Sequence, residues 1–375
     1  MKKIAVLTTH RANNYGAMLQ SYALTHKINQ LGGDCEILDY RCECFEKLYH
    51  HLIALPIGRT CIARFLRRCF RDRKTYQAFA DFRKNNLTVS TEVYTDKANL
   101  SDSESLYDIF IAGSDQIWNP ANTTGNVQTF EKPYLLDFVK DSSKKYSYAA
   151  SIGLSVVSDD LANVYKELLS DFQCLTLREH KGAELLRELL NKETKAVCDP
   201  VLLLTPEEWM NVEKPIPLKN KDYILVYNVS GGKFFEDYAL ALAEQRGCDV
   251  YFIQAPVVKC VTKNRKKVLT GVGPAEFIYL IRNARELVTN SFHGSAFGLM
   301  FGKRLHLKLD ALNNPNQRNS RLESLFKFFG VRDEQIVISN AGDFQLSCIT
   351  PNQENHEAVE NSRRYSLSIL TNMVL

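Results

Sequence analysis

None of the ten cysteines forms a C-x-x-C pair. Cys42-Glu-Cys44 is too tight for the usual zinc spacing. The other cysteines stand singly, as free thiols do in a reducing compartment. No apolar run approaches the length of a membrane span. The apolar stretch after Met1-Lys-Lys is too short for a signal peptide and runs straight into a polar loop. A cytoplasmic protein is therefore expected. There is no RNP, zinc-finger or helix-turn-helix signature, and the formal net charge is a mild +4, so no nucleic-acid partner is expected. No clustered His/Asp/Glu set suggests a metal, and no internal repeat is visible.

What remains is a chain of 375 residues, 45% hydrophobic and 24% charged, ordinary for a globular protein and long enough for two domains. Lys3 to Thr9 is apolar and β-branched, as a buried parallel strand should be. His10 to Gly16 is a turn-rich loop, Ala17 to Gln30 has helical apolar spacing, and Gly32-Gly33 stops it before a strand at Cys35 to Tyr40. This is a βαβ unit of Rossmann type. Its first loop lacks G-x-G-x-x-G, so no dinucleotide is expected. Asn13, Asn14, Tyr15 and Gly16 suit either a binding loop or a plain turn.

Four more junctions punctuate the chain. Ile109 to Ile111 leads into Gly113-Ser114-Asp115, which place a close-approach backbone, a hydroxyl and a carboxylate at a sheet edge. Nearby Trp118 suits stacking on a sugar or, more commonly, the core. A strand from Lys145 leads to the small residues Ser151 to Gly153. Arg178 follows a short strand, where its fork of donors suits a carboxylate or phosphate, or an interdomain salt bridge. Glu286 to Gly298 is the most pointed: Leu287-Val288 end a strand, Thr289, Asn290, Ser291 and Gly294 follow, and Ala296 to Phe301 read as a buried helix. His293 thus sits at a helix start, with free N–H groups for an anion and a ring able to move protons near neutral pH. A capping or packed histidine explains the same letters equally well.

The expected layout is α/β, with two Rossmann-like domains. Residues 1–204 form the first, with a basic helical insertion at about 45–87. Residues 205–221 form a Pro-, Glu- and Lys-rich linker, 222–350 a second α/β series, and 351–375 a terminal helix. The arginines at 59, 64, 67, 68, 71 and 73 flank an apolar stripe. Such a helix lies on an anionic membrane or, more often, packs on its own domain.

Several segments, in order, resemble one family. They are Asn14-Tyr15-Gly16 with Gln20, Ile111-Ala-Gly-Ser-Asp-Gln116, Tyr148-Ala-Ala-Ser-Ile-Gly153, Leu177-Arg-Glu179, Asp199-Pro200 and Asn290-Ser-Phe-His-Gly294. The chain is similar to the polysaccharide pyruvyl transferases of bacterial capsule and exopolysaccharide synthesis. The resemblance implies two domains facing across a GT-B-like cleft. It implies phosphoenolpyruvate as donor substrate and no cofactor. The acceptor would be a sugar hydroxyl pair, free, nucleotide-linked or on a lipid-linked oligosaccharide, and the products a cyclic pyruvate ketal and phosphate. Arg178 matches the donor-binding Arg and His293 the catalytic His, with Asp115 as a group to orient or deprotonate a hydroxyl. Asn14, Tyr15, Gly16, Gly113, Ser114, Ser151, Ser291, Gly294 and Arg321 are the expected substrate-binding set. Where many members carry Arg just upstream of the His, this chain has Ser291; Arg321 and Lys303 are the candidates to replace it. A nucleotide-sugar glycosyltransferase and a non-catalytic sugar-binding subunit are the competing readings. The basic helix suggests peripheral contact with the inner membrane.

Overall fold

The computed structural model describes residues 1–49, 59–154, 156–229, 233–254, 268–310, 319–339 and 346–375; side chains at 48–49, 59–72, 233, 254, 310, 319 and 338–339 lie outside the description. The first half is built on a parallel sheet of β1 (Lys3–Leu7), β2 (Asp34–Tyr40), β3 (Val89–Tyr94), β4 (Ile109–Ala112) and β5 (Lys145–Ser147), in the order β3-β2-β1-β4-β5. Two further parallel strands, β6 (Leu175–Leu177) and β7 (Thr194–Ala196), continue from β5 through the bridge Tyr146 to Cys174. The order reverses between β1 and β4, where an open parallel sheet offers a crevice at its carboxyl edge. The central strands are buried on both faces, which is why β1 and β4 read as unbroken apolar runs.

The second half repeats the plan. Its strands are β8 (Tyr223–Asn228), β9 (Asp249–Gln254), β10 (Glu286–Thr289) and β11 (Arg304–Leu307), with the short pair β12 (Leu309–Asp310) and β13 (Ile338–Ser339) set apart. The sheet closes with β14 (Ser347–Ile349), antiparallel to β11, in the order β14-β11-β10-β8-β9.

Three expected stretches gain structural detail. The stretch expected as an insertion at 45–87 carries the crossover from β2 to β3, which a parallel pair requires. Its long helix, Arg59–Asn86, buries Phe79 and Phe82 and reaches the second half, where Gly271 N donates to Thr75 Oγ1 at 3.1 Å. The arginine stripe at 59–71 lies outside the described side chains. The expected linker is packed rather than loose. Thr205 and Glu208 form a capping box, and buried Trp209 donates Nε1 to the Val201 carbonyl at 2.9 Å. The terminal helix spans Gln353–Val374 and returns to the first half. There Arg363 Nε donates to the Leu202 carbonyl at 2.7 Å, and Cys198 N donates to Ser366 Oγ at 3.0 Å.

The halves share one apolar core. Fully buried Tyr15 stacks on Phe277, centroids 4.6 Å apart, and meets Tyr227 edge-on. Trp209 packs edge-on against Phe297. Aromatic pairs of this kind add about 0.5–1.5 kcal/mol each beyond area burial. They fix how the carboxyl edges of the two sheets meet.

Candidate active site

Asp199 organises the meeting point. β7 ends at Ala196, and Asp199 caps the turn beyond it by accepting from Val201 N at 3.1 Å through Oδ1. Its Oδ2 collects three groups. Arg178 Nη1 donates at 2.9 Å, Ser114 Oγ donates at 3.2 Å, and His293 Nε2 lies 3.4 Å away. The last is an ion-pair distance without hydrogen-bond alignment, so Nε2 has no hydrogen-bond partner among the described residues. Burial alone would keep Asp199 protonated. The charges of His293 and Arg178 and the Arg178 hydrogen bond outweigh it and hold the carboxyl well below the usual range.

Arg178 is fully buried beside Asp199. Its place follows from the end of β6, where its N–H donates to the Ala150 carbonyl. Burial opposes its charge, yet Asp199, Glu179 and Asp115 together raise its pKa. Its guanidinium lies 4.5 Å over the Phe292 ring. With Nη1 committed to Asp199, Nε and Nη2 have no partner among the described residues. Those two nitrogens form the planar fork that suits a carboxylate or phosphate.

His293 arrives from the other half, on the first turn of the Phe292–Met300 helix. Its ring lies against Gly16 at the start of the Tyr15–Gln30 helix, where a Cβ would collide with Nδ1. Gly16 is thus glycine for close approach. Asn14 N-caps that helix, its side chain accepting from Ala17 N at 3.2 Å.

The other candidates separate by what holds them. Ser291 N-caps the His293 helix, its Oγ accepting from Gly294 N at 3.2 Å, and a Cβ on Gly294 would press Thr289 Oγ1. Tyr15 sits in the core between the halves rather than in an open loop, and its OH donates to the Val272 carbonyl at 3.0 Å. Gly113 packs closely on Thr8 and Val6. Half-buried Asp115 has φ +77°, in the left-handed region. Its oxygens accept from Gln116 N at 2.8 Å and Thr9 Oγ1 at 2.9 Å, a turn rather than the cap of the next helix, whose cap is Asn119. Ser151 Oγ donates to Glu179. Trp118 is core, donating Nε1 to the Tyr134 carbonyl. Arg321 lies in the first turn of the Asn319–Phe329 helix; one turn on, Ser324 Oγ accepts from His180 N at 2.9 Å, beside the strand end that carries Arg178. Lys303 is at the wrong edge. It follows the far end of the His293 helix and enters β11, opposite the carboxyl edge.

Asp199, Glu179 and Phe292 were not singled out by sequence, although all three stand inside the family-like segments. An Asp-Pro pair reads as a turn, and its turn role is real. Among the described residues no cluster of three or more metal-binding side chains occurs, and no helix is long and apolar enough to cross a membrane.

Two Rossmann-like sheets meeting at their carboxyl edges, with the site at their junction, define the GT-B architecture. The UDP-GlcNAc 2-epimerase from Neisseria meningitidis bound to UDP-GlcNAc matches at TM-score 0.52 and 10% identity, over 99% of this chain and 100% of that one. The UDP-GlcNAc 2-epimerase from Methanocaldococcus jannaschii matches at 0.49 and 12%, over 97% and 100%. At such identities the likeness is one of fold. No curated protein matches the chain. Residues 14–306 match the polysaccharide pyruvyl transferase family, well over half of the chain, and the protein belongs to that transferase family.

Proposed function

We propose that the protein transfers the pyruvate unit of phosphoenolpyruvate to a hydroxyl pair on a sugar of a bacterial surface polysaccharide precursor, forming a cyclic ketal and releasing phosphate. The observation that carries this reading is the Arg178–Asp199–His293 arrangement, in which one guanidinium nitrogen and an imidazole from opposite halves converge on one carboxylate oxygen and leave the Nε/Nη2 fork open. Phosphoenolpyruvate carries a carboxylate and a phosphate, and the Nε/Nη2 fork of Arg178 suits either one. Asp199 holds the guanidinium and the imidazole in register, and the guanidinium carbon rests 4.5 Å from the Phe292 ring centroid.

The chemistry balances with these groups. His293 as imidazolium gives a proton to the methylene carbon, which becomes the methyl group. The cation developing at the neighbouring carbon takes the first sugar oxygen. The C–O bond to phosphate then breaks, and the second sugar oxygen closes the ring. Of the two hydroxyl protons, one restores His293 and the other leaves on phosphate. Asp115 and the Ser151–Glu179 pair supply acceptors for sugar hydroxyls on the first half's edge.

The test is incubation with phosphoenolpyruvate and a panel of sugars, in heavy water. The expected product is a ketal whose methyl carries one deuterium, formed with stoichiometric phosphate and lost in His293→Gln. Transfer of a sugar from a nucleotide donor, with no ketal, would make the protein a glycosyltransferase instead.

A further inference from the structure

Away from Arg178 and His293, a cavity of about 350 Å³ opens between the end of the Arg59–Asn86 helix and the tips of β1 and β2. His10, Arg11, Asp39, Arg83 and Lys84 give it its charge. The carboxylates here are already answered. Asp39 meets Arg41 at 3.0 Å, His10 at 3.2 Å and Arg11 at 3.6 Å, and Glu46 pairs with Arg11. Among the described residues, no carboxylate lies within ion-pair distance of Arg83 or Lys84. Arg83 instead spends its donors on the loop after β1. Nε reaches the His10 carbonyl at 3.1 Å, and Nη2 reaches the Arg11 carbonyl at 3.3 Å and Asn13 Oδ1 at 3.0 Å. Burial first, and the charge of Arg11 next, push Arg83 down to about 10. Cations crowded in this way, at the rim of an open cavity, are relieved by an anion.

The same loop leads to the active site. Gly16, which touches His293, is five residue steps beyond Arg11. Even fully extended they span at most about 18 Å. We propose that this cavity binds the phosphate or diphosphate of the acceptor, so that the acceptor is a phosphorylated sugar rather than a finished neutral glycan. The proposal rests on the pyruvyl-transfer reading for the word acceptor, not for the phosphate site itself. Arg83 ties the site to catalysis, because it fixes the loop that sets Asn14 and Gly16 beneath His293.

Calorimetric titration tests it. The probes are inorganic pyrophosphate, glucose 1-phosphate, and vesicles carrying a polyprenyl diphosphate beside plain anionic vesicles. The proteins are wild type, Lys84→Glu, Arg83→Gln and Arg178→Lys. Pyrophosphate and glucose 1-phosphate bind wild type and Arg178→Lys alike, and at least tenfold more weakly to Lys84→Glu, which still binds phosphoenolpyruvate as wild type does. A preference for diphosphate vesicles over plain ones names a lipid as the source; binding of glucose 1-phosphate without that preference names a soluble sugar phosphate. If phosphoenolpyruvate fails on wild type while pyrophosphate still depends on Lys84, the donor reading falls and this site stands. Undiminished binding in both Lys84→Glu and Arg83→Gln, or no phosphate binding at all, overturns it.

Discussion

Three buried histidines sit beside buried carboxylates, and of the two in the second half only one has its donors used up. His306 is fully answered. Nε2 meets Glu286 Oε2 at 2.6 Å, Nδ1 meets Tyr238 OH at 2.8 Å, and Arg246 Nε reaches the other oxygen of Glu286 at 2.6 Å. His293 is positioned but not satisfied. It lies 3.4 Å from Asp199 with no hydrogen bond from Nε2, beside an arginine with two unanswered nitrogens. A closed network rigidifies a fold, whereas open donors on a fixed frame wait for a ligand. By that criterion we read His306, inside β11, as structural and propose His293, on the first turn of its helix in the same half, as functional.

Breaking this contrast at Gly16 should act on turnover rather than on stability. Gly16→Ala forces the His293 ring aside, and a displacement near 1 Å lowers turnover by about 100-fold. Helix stability is kept, so thermal unfolding should be nearly unchanged while ketal formation collapses. Equal loss of both would mean that the contact is only packing.

Next is Arg178→Met, which leaves Asp199 buried without its strongest partner. A cost of about 3–5 kcal/mol is expected in urea unfolding. His306→Gln should cost less, about 1–3 kcal/mol for the partners it leaves unmatched. It should leave phosphoenolpyruvate binding untouched. A donor-binding defect in His306→Gln would erase the distinction between the two sites.

The smallest effect is on pH dependence. Burial lowers the pKa of His306 despite Glu286. A group lowered on folding contributes stability that is complete above its unfolded value, about 6.5, and is lost as pH falls through that value. Unfolding midpoints should therefore drop on acidification below about pH 6.5, with a shallower slope in His306→Gln. Asp199 and Glu286, both held low, add a further loss below about pH 4. Unchanged slopes in His306→Gln would assign the upper limb to the other histidines lowered by burial, His10, His26 and His180.

How far the site could be read from sequence follows from the same physics. The junctions at Gly113-Ser114-Asp115, Arg178 and Ser291 to Gly294 were legible, because apolar β-branched runs broken by Gly and Ser have few other meanings in an α/β chain. The two-sheet plan was legible for the same reason. The function of Asp199 was hidden, since one carboxylate oxygen closes a local turn while the other gathers residues 21 and 94 positions away, and only tertiary structure shows the second. Tyr15 looked like a binding residue beside Asn14 and Gly16, but an aromatic with a single hydroxyl is equally a core residue once a carbonyl is near, as Val272 is. The packed character of residues 205–221 was masked by their Pro and charge, which Trp209 alone contradicts.

The most direct test of the central account is a thermal-shift titration with phosphoenolpyruvate, run beside UDP-, GDP- and CMP-sugars, on wild type, Arg178→Lys and His306→Gln. At about 100 times its dissociation constant the donor should stabilise wild type by roughly 2.7 kcal/mol. The account predicts that phosphoenolpyruvate shift in wild type and His306→Gln and its loss in Arg178→Lys, with any nucleotide-sugar shift, taken through the separate phosphate cavity, unchanged in Arg178→Lys. A full shift in Arg178→Lys, or a response to a nucleotide sugar alone, would contradict it.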